Sequence, residues 1–327
     1  MIITRTPFRV SFAGGGSDLE SYYSREGGCV LSTAIARYMY LTVTERFGNS
    51  FRVSYSQTEL VETVDQIQHP IVRECLNLLE VRRGLEIVSI ADLPAQSGMG
   101  SSSSFTVGLL HALYAMQGRM VSADRLAEDA CRIEIERLKE PIGKQDQYIA
   151  AYGGLQFIEF RPDGQVFVDP VICSAETRSE LNRRLVMFFT GLTRNARDVL
   201  VKQRANTDDR VPALRQLCAI ARQLREVVTM GRDLNAFGKL LHEAWEAKKL
   251  LEDSITTDCI NAYYQRGLEA GALGGKLLGA GSGGFLLFYC EPHLQQRLRK
   301  ALPELTEVPF KLEPQGSKVI YVGSDHW

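Results

Sequence analysis

Residues 2–12 alternate in the manner of a β-strand and run directly into Gly14, Gly15, Gly16, Ser17 and Asp18. Residues 30–36 and 38–46 are also β-rich. In the second of these, Tyr38, Tyr40, Thr42 and Thr44 fall on one face and Met39, Leu41 and Val43 on the other, a period of two. Residues 52–56 continue that character, 70–79 read as a helix and 85–91 as a further strand. A loop over 94–104 leads into an apolar helix, 105–116. Ser122 is placed to cap a second helix reaching about Leu138, with Asp124 near its positive end. Pro141 and Gly143 break the chain before a short helix at 145–152. Gly153 and Gly154 then turn it into a hairpin, 155–160 and 166–169, around Pro162, Asp163 and Gly164. The second half begins with an apolar strand at 185–189, followed by amphipathic helices at 211–229, 234–251 and 255–269. A glycine-dense stretch, 271–284, leads into an apolar strand at 285–289, then a helix at 292–301 and a closing strand at 319–322.

A chain of 327 residues is long for one core, so two packed domains are expected. The polar run 174–184 places the boundary near 172–183 and divides the chain into 1–178 and 179–327. Strands and helices mix without regular βαβ alternation, which favours α+β over a doubly wound sheet. A formal net charge of -1 gives no electrostatic reason to expect a nucleic acid or a membrane surface as partner. Affinity for phosphates must therefore come from local arrangement. No apolar run approaches the roughly 20 residues of a bilayer span, and residues 1–10, with two arginines on a strand pattern, do not resemble a secretory signal. Seven cysteines without CxxC spacing read as reduced, buried thiols of a cytoplasmic protein. A homodimer stays open.

Three glycine-rich loops carry the candidate chemistry. In Pro94-Ala95-Gln96-Ser97-Gly98-Met99-Gly100-Ser101-Ser102-Ser103-Ser104, a strand precedes and a helix follows. Glycines let the backbone approach an anion, and a helix start offers unpaired N–H groups at a positive dipole end. The serines can supply hydroxyls to phosphate or to Mg²⁺. The Lys-Ser/Thr ending of a Walker A loop is absent. A second loop, Gly279-Ala280-Gly281-Ser282-Gly283-Gly284, matches GxGxxG, but a strand follows it rather than a helix, against a dinucleotide site. It either permits tight packing of a helix on a strand or supports the phosphate site from the second domain. In the third, Gly14–Gly16 with Ser17 and Asp18, the carboxylate could accept hydrogen bonds from sugar hydroxyls or serve an ordinary turn. Between the loops, Glu134, Glu136, Lys139, Glu140, Lys144 and Asp146 form a charged passage in which spacing alone does not rank one carboxylate above another.

Taken together, the loops resemble the three ordered motifs of the GHMP kinases, small-molecule kinases that include galactokinase and mevalonate kinase. The resemblance implies an N-terminal ATP-binding domain with a left-handed βαβ element, a C-terminal ferredoxin-like domain and an active site between them. It matches Asp146 to the catalytic aspartate of the galactokinase Gly-x-x-Asp-Gln motif, and Glu134 and Ser102 to magnesium ligands. Arg9 matches the arginine between phosphate and acceptor, and Asp18 the aspartate that binds sugar hydroxyls. Pro94, Ser97, Gly98, Gly100 and Ser101–Ser104 correspond to the ATP-phosphate motif, and Gly279, Gly281 and Gly283 to the third. Galactokinases carry Gly-Glu-His-Thr-Asp where this chain has Gly14-Gly15-Gly16-Ser17-Asp18. That change puts galactose in doubt and suits a bulkier or anionic substituent. Long stretches of the N-terminal half are similar to the D-glycero-α-D-manno-heptose 7-phosphate kinases, which implies a sugar-phosphate acceptor phosphorylated by Mg-ATP at its anomeric hydroxyl. Lys144 and Arg194 are then candidates for the remote phosphate. The rivals are a kinase for free fucose or galactose and an idle sugar sensor, which would not need Glu134, Ser102 and Asp146 together.

Overall fold

The computed structural model describes residues 1–95, 97–192, 199–202 and 207–323. Its first unit runs β1 (Ile2–Ala13), α1 (Glu20–Glu26), β2 (Gly28–Glu45), β3 (Phe51–Ser54), β4 (Thr58–Val61), α2 (Pro70–Leu78) and β5 (Leu85–Ala91). It continues through α3 (Ser101–Met116), α4 (Ala123–Cys131), a π-helical turn (Arg132–Arg137), α5 (Gln145–Tyr152), β6 (Leu155–Phe160) and β7 (Val166–Pro170). Then follow α6 (Ala175–Arg184), β8 (Leu185–Phe189), α7 (Val211–Met230), α8 (Asn235–Lys249), α9 (Asp258–Glu269), β9 (Gly274–Leu277), β10 (Phe285–Tyr289), α10 (Gln295–Ala301), β11 (Thr306–Glu307) and β12 (Lys318–Val322).

The β-rich stretches expected at 30–36 and 38–46 are one strand. Pro7 pairs with Tyr38 and Phe8 with Ile35, so Ala36 and Arg37 bulge out and the strand bends without ending. The long β2 therefore reaches two neighbours on its far edge: residues 28–33 pair with β6 and residues 39–45 with β5. Met39, Leu41 and Val43 are buried and their alternates are not, as the period of two demands. β3 and β5 run parallel, joined by a crossover through β4 and α2. The second sheet, β11-β8-β10-β9, is antiparallel, and α7 and α8 are amphipathic, with Leu217, Ile220, Leu224, Phe237 and Leu241 in the core. No described helix is long and apolar enough to cross a membrane.

Several sequence expectations are corrected here. The polar run 174–184, placed at the boundary between the halves, is the capped helix α6: the Ser174 hydroxyl accepts from the Thr177 amide, and Leu181 is buried. The closing strand does not stay with the second half. β12 pairs antiparallel with β1, Ile2 opposite Val322, so the chain's last strand completes the first sheet. The glycine-dense stretch conceals β9, which is buried along its length. The helix after the phosphate-loop candidate starts at Ser101, so the four serines form its first turn.

The two units meet at the glycine loops. A Cβ on Gly98 would lie 2.6 Å from the Leu278 carbonyl oxygen, and one on Gly279 would lie 2.3 Å from Gly98 Cα. One on Gly284 would lie 2.3 Å from the Ser97 carbonyl oxygen. Backbone thus rests on backbone, an approach no larger residue allows. Gly281 and Gly283 abut Ile255 and Leu192 in the same way, within the second half. The glycines of this loop serve close packing, and what Gly279 and Gly284 pack on is the backbone of Ser97 and Gly98 in the candidate phosphate loop. Gly284→Ala should therefore cost about 2–3 kcal/mol, since the clash adds to left-handed strain. Gly118→Ala, also at positive φ but with nothing within 4 Å, should cost only about 1 kcal/mol. Equal midpoints in urea unfolding of the two variants would contradict the close contact.

Candidate active site

Arg9, on β1, and Asp146, in the first turn of α5, form a two-pronged ion pair. Arg9 Nε donates to Asp146 Oδ1 at 2.7 Å and Nη2 to Oδ2 at 2.8 Å. Arg9 Nη1 donates to the Gly98 carbonyl at 2.6 Å, and its backbone amide to the Met99 carbonyl at 3.1 Å. Strand, helix and loop are thereby held at one point. Arg9 is nearly covered (7% side-chain exposure), while Asp146 keeps 22%, enough to meet a ligand. Gly100, the left-handed N-cap of α3, leaves that carboxylate uncovered, since a Cβ there would come within 3.3 Å of Asp146 Oδ2.

Asp18 lies beside this pair and is buried. Its Oδ1 accepts from the Gly16 amide at 2.8 Å and its Oδ2 from the Gln145 amide at 3.3 Å. Burial pushes its carboxyl up, opposed by those amides. A Cβ on Gly143 would fall 2.0 Å from Asp18 Oδ2, so that glycine admits the Gly14–Asp18 loop against the start of α5. The Ser17 hydroxyl is spent on the Cys29 carbonyl at 3.0 Å. Gly15 and Gly16 line the pocket beside Arg9, Asp18 and Asp146.

Glu134 is fully buried on the π-helical turn. It accepts from the Ser102 hydroxyl and, at 2.8 Å, from Gln147 Nε2. Burial, only partly offset by those donors, raises its pKa to about 7. The other serines divide. Ser97 Oγ donates to the Pro94 carbonyl at 2.7 Å and Ser104 Oγ to the Pro7 carbonyl at 2.8 Å, so both side chains are engaged in holding the loop. The hard oxygens of Ser102 and Glu134 suit Mg²⁺. No cluster of three or more acidic, His or Cys side chains exists among the described residues.

Lys144 does not join the site. Its Nζ donates to the Gly164 carbonyl at 3.0 Å and lies 4.8 Å from the Tyr23 ring centroid, because the start of α5 turns it toward the β6–β7 hairpin while Asp146 turns inward. Arg194 lies outside the described residues. Two lysines that sequence reasoning passed over line the pocket instead. Lys276, on β9, donates to the carbonyls of Ser11 at 2.8 Å and Phe12 at 2.9 Å. Lys248, on α8, donates to the Gly279 carbonyl. Burial holds both amines below their ordinary range, Lys248 at about 8. A signal did exist: Phe237, Leu241, Ala244, Lys248 and Leu251 share the buried face of α8 and its end, so one lysine occupies an apolar position.

Glu134 makes stability depend on pH. Its carboxyl ionises near 4.5 when unfolded and near 7 when folded, so its contribution is complete below 4.5 and lost as pH rises through 7. Between pH 5 and 8, without metal or nucleotide, the protein should lose roughly 3 kcal/mol relative to Glu134→Gln. Urea unfolding at the two pH values checks this, and parallel curves for the two proteins would refute it.

Residues 49–154 match the N-terminal domain of the GHMP kinases and residues 213–307 the GHMP kinases C-terminal domain. A D-glycero-alpha-D-manno-heptose 7-phosphate kinase of Campylobacter jejuni is 30% identical over 315 residues, 92% of this chain and 93% of that one. Among solved structures, a D-glycero-D-manno-heptose 1-phosphate kinase of Bacteroides thetaiotaomicron has a TM-score of 0.82 at 24% identity, covering 99% of this chain and 100% of that one. The galactokinase of Lactococcus lactis has a TM-score of 0.77 at 16% identity, covering 97% and 94%. These two likenesses show the fold, and the matched domains with the C. jejuni relative show the family. The chain belongs to the GHMP kinases, as an ATP-dependent phosphotransferase acting on a sugar hydroxyl.

Proposed function

We propose that this kinase phosphorylates the anomeric hydroxyl of D-glycero-α-D-manno-heptose 7-phosphate, giving the 1,7-bisphosphate on a route to nucleotide-activated heptose. The observation that carries the reading is the Arg9–Asp146 pair, which sits between the candidate phosphate loop and the Gly14–Asp18 loop. The name of the C. jejuni relative supports the acceptor. So do Gly15 and Gly16, which leave space where galactokinases carry large side chains.

In this reading the amides opening α3 and the backbone at Gly98–Gly100 receive the nucleotide phosphates. Ser102 and Glu134 would hold a magnesium ion, which would supply charge neutralisation to the nucleotide phosphates. Asp18 fixes the sugar through its hydroxyls. Asp146 accepts the proton of the anomeric hydroxyl as its oxygen bonds to the γ-phosphorus. The bond from that phosphorus to the β–γ bridging oxygen breaks, and ADP departs. Arg9 orients Asp146 and offsets charge on the transferred group. Alignment and electrostatics carry most of the step.

Asp146→Asn should lower kcat by about 10³-fold while ATP affinity changes little; near-full activity would remove Asp146 from the chemistry. The acceptor is tested by coupled ADP release against heptose 7-phosphate, mannose 6-phosphate, free heptose, fucose and galactose. Selective turnover of heptose 7-phosphate, with product phosphorylated at the anomeric carbon, is expected. Turnover of a free sugar alone would overturn the assignment of a phosphorylated acceptor.

A further inference from the structure

The second unit contributes two ammonium groups to the pocket, and their surroundings give them different tasks. Lys276 is committed to two carbonyls of β1, Ser11 and Phe12, and so pins the strand end that leads into the Gly14–Asp18 loop. Lys248 donates to one acceptor among the described residues, the Gly279 carbonyl, and an ammonium carries three N–H bonds. Gly279 rests on Gly98, and the Gly98 carbonyl takes Arg9 Nη1. Arg9 and Lys248 therefore flank the junction of the two glycine loops, one from each unit, and both line the pocket that contains Asp146. Burial first, and then the charge of Arg9, act against protonation of Lys248. Two desolvated cations so placed repel each other and favour an anion between them. Asp18 and Asp146 oppose that effect, but neither accepts a hydrogen bond from Lys248: Asp18 is held by the Gly16 and Gln145 amides and Asp146 by Arg9.

We propose that Lys248 is a second cationic contact to the phosphoryl group being transferred, brought from the second unit to face Arg9. An anion there could also be a phosphate carried by the acceptor. The anchor of Lys248 decides for the nucleotide: Gly279 abuts Gly98, in the loop that opens α3, rather than Gly15 or Gly16. Lys248 then completes the charge around the γ-phosphorus only when the two glycine loops are in contact. The inference rests on ATP-dependent phosphotransfer and not on the identity of the sugar.

The test compares binding of Mg-AMPPNP, which keeps a terminal phosphoryl group, with Mg-ADP, which lacks it, by titration calorimetry. Lys248→Gln keeps a hydrogen-bond donor for Gly279 and removes the charge; Lys248→Arg keeps the charge. Thermal unfolding establishes that each variant is folded, and Lys248→Met serves if the glutamine variant is not. The expected result is AMPPNP binding weakened about 10- to 100-fold in Lys248→Gln, ADP binding within about twofold of wild type, and partial recovery in Lys248→Arg. In turnover, kcat should fall by a similar factor with the acceptor KM little changed. Equal weakening of both nucleotides would make Lys248 a holder of the loop, and no weakening of either would also overturn the proposal. A rise confined to the KM of a phosphorylated acceptor would move the anion to the sugar. Because the binding arm needs no acceptor, failure of the heptose assignment leaves this test standing.

Discussion

Backbone resting on backbone at Gly98, Gly279 and Gly284 is the constraint on which the site depends. A contact that close leaves no room for side chains to absorb error, so it places one loop of each unit in a single relative position. Arg9 extends the same junction by donating to the Gly98 carbonyl while gripping Asp146. Lys276 does so from the other side, by holding the end of β1. The elements that position Arg9, Asp146, Lys248 and Lys276 are thus tied together by main-chain atoms. That suits a reaction in which alignment matters more than covalent assistance.

Charge is concentrated where desolvation makes it expensive. Glu134, Lys248 and Lys276 are buried with their acid–base equilibria displaced toward the neutral forms. A core built for stability alone would not place these groups here. A counter-charge brought by a ligand would favour their ionised forms.

The last strand gives the architecture a different kind of closure. β12 returns to pair with β1, next to the strand that carries Arg9. The segment before it also bonds to the first unit, with the Glu313 amide on the Ala34 carbonyl and the Ser317 amide on the Ala150 carbonyl. A division of the chain by sequence position therefore cuts through a packed unit. The second half is an insertion between parts of the first sheet rather than an appended domain.

Much of this was legible in the linear chain because it is local. The period of two in 38–44, the Ser122 cap, and the three glycine loops are written in neighbouring residues, and the order of the loops carries the family and its candidate Arg9, Asp18, Ser102, Glu134 and Asp146. Tertiary structure decided what distant segments do to one another. It sent Lys144 to the hairpin and drew Lys248 and Lys276 into the pocket. It turned Ser97 and Ser104 inward, and it gave Gly143 its purpose by setting Asp18 against it. The physical reason is that a side chain's periodicity follows from its neighbours, whereas its partner is chosen by the register of β1 on β2 and by the packing of one unit on the other.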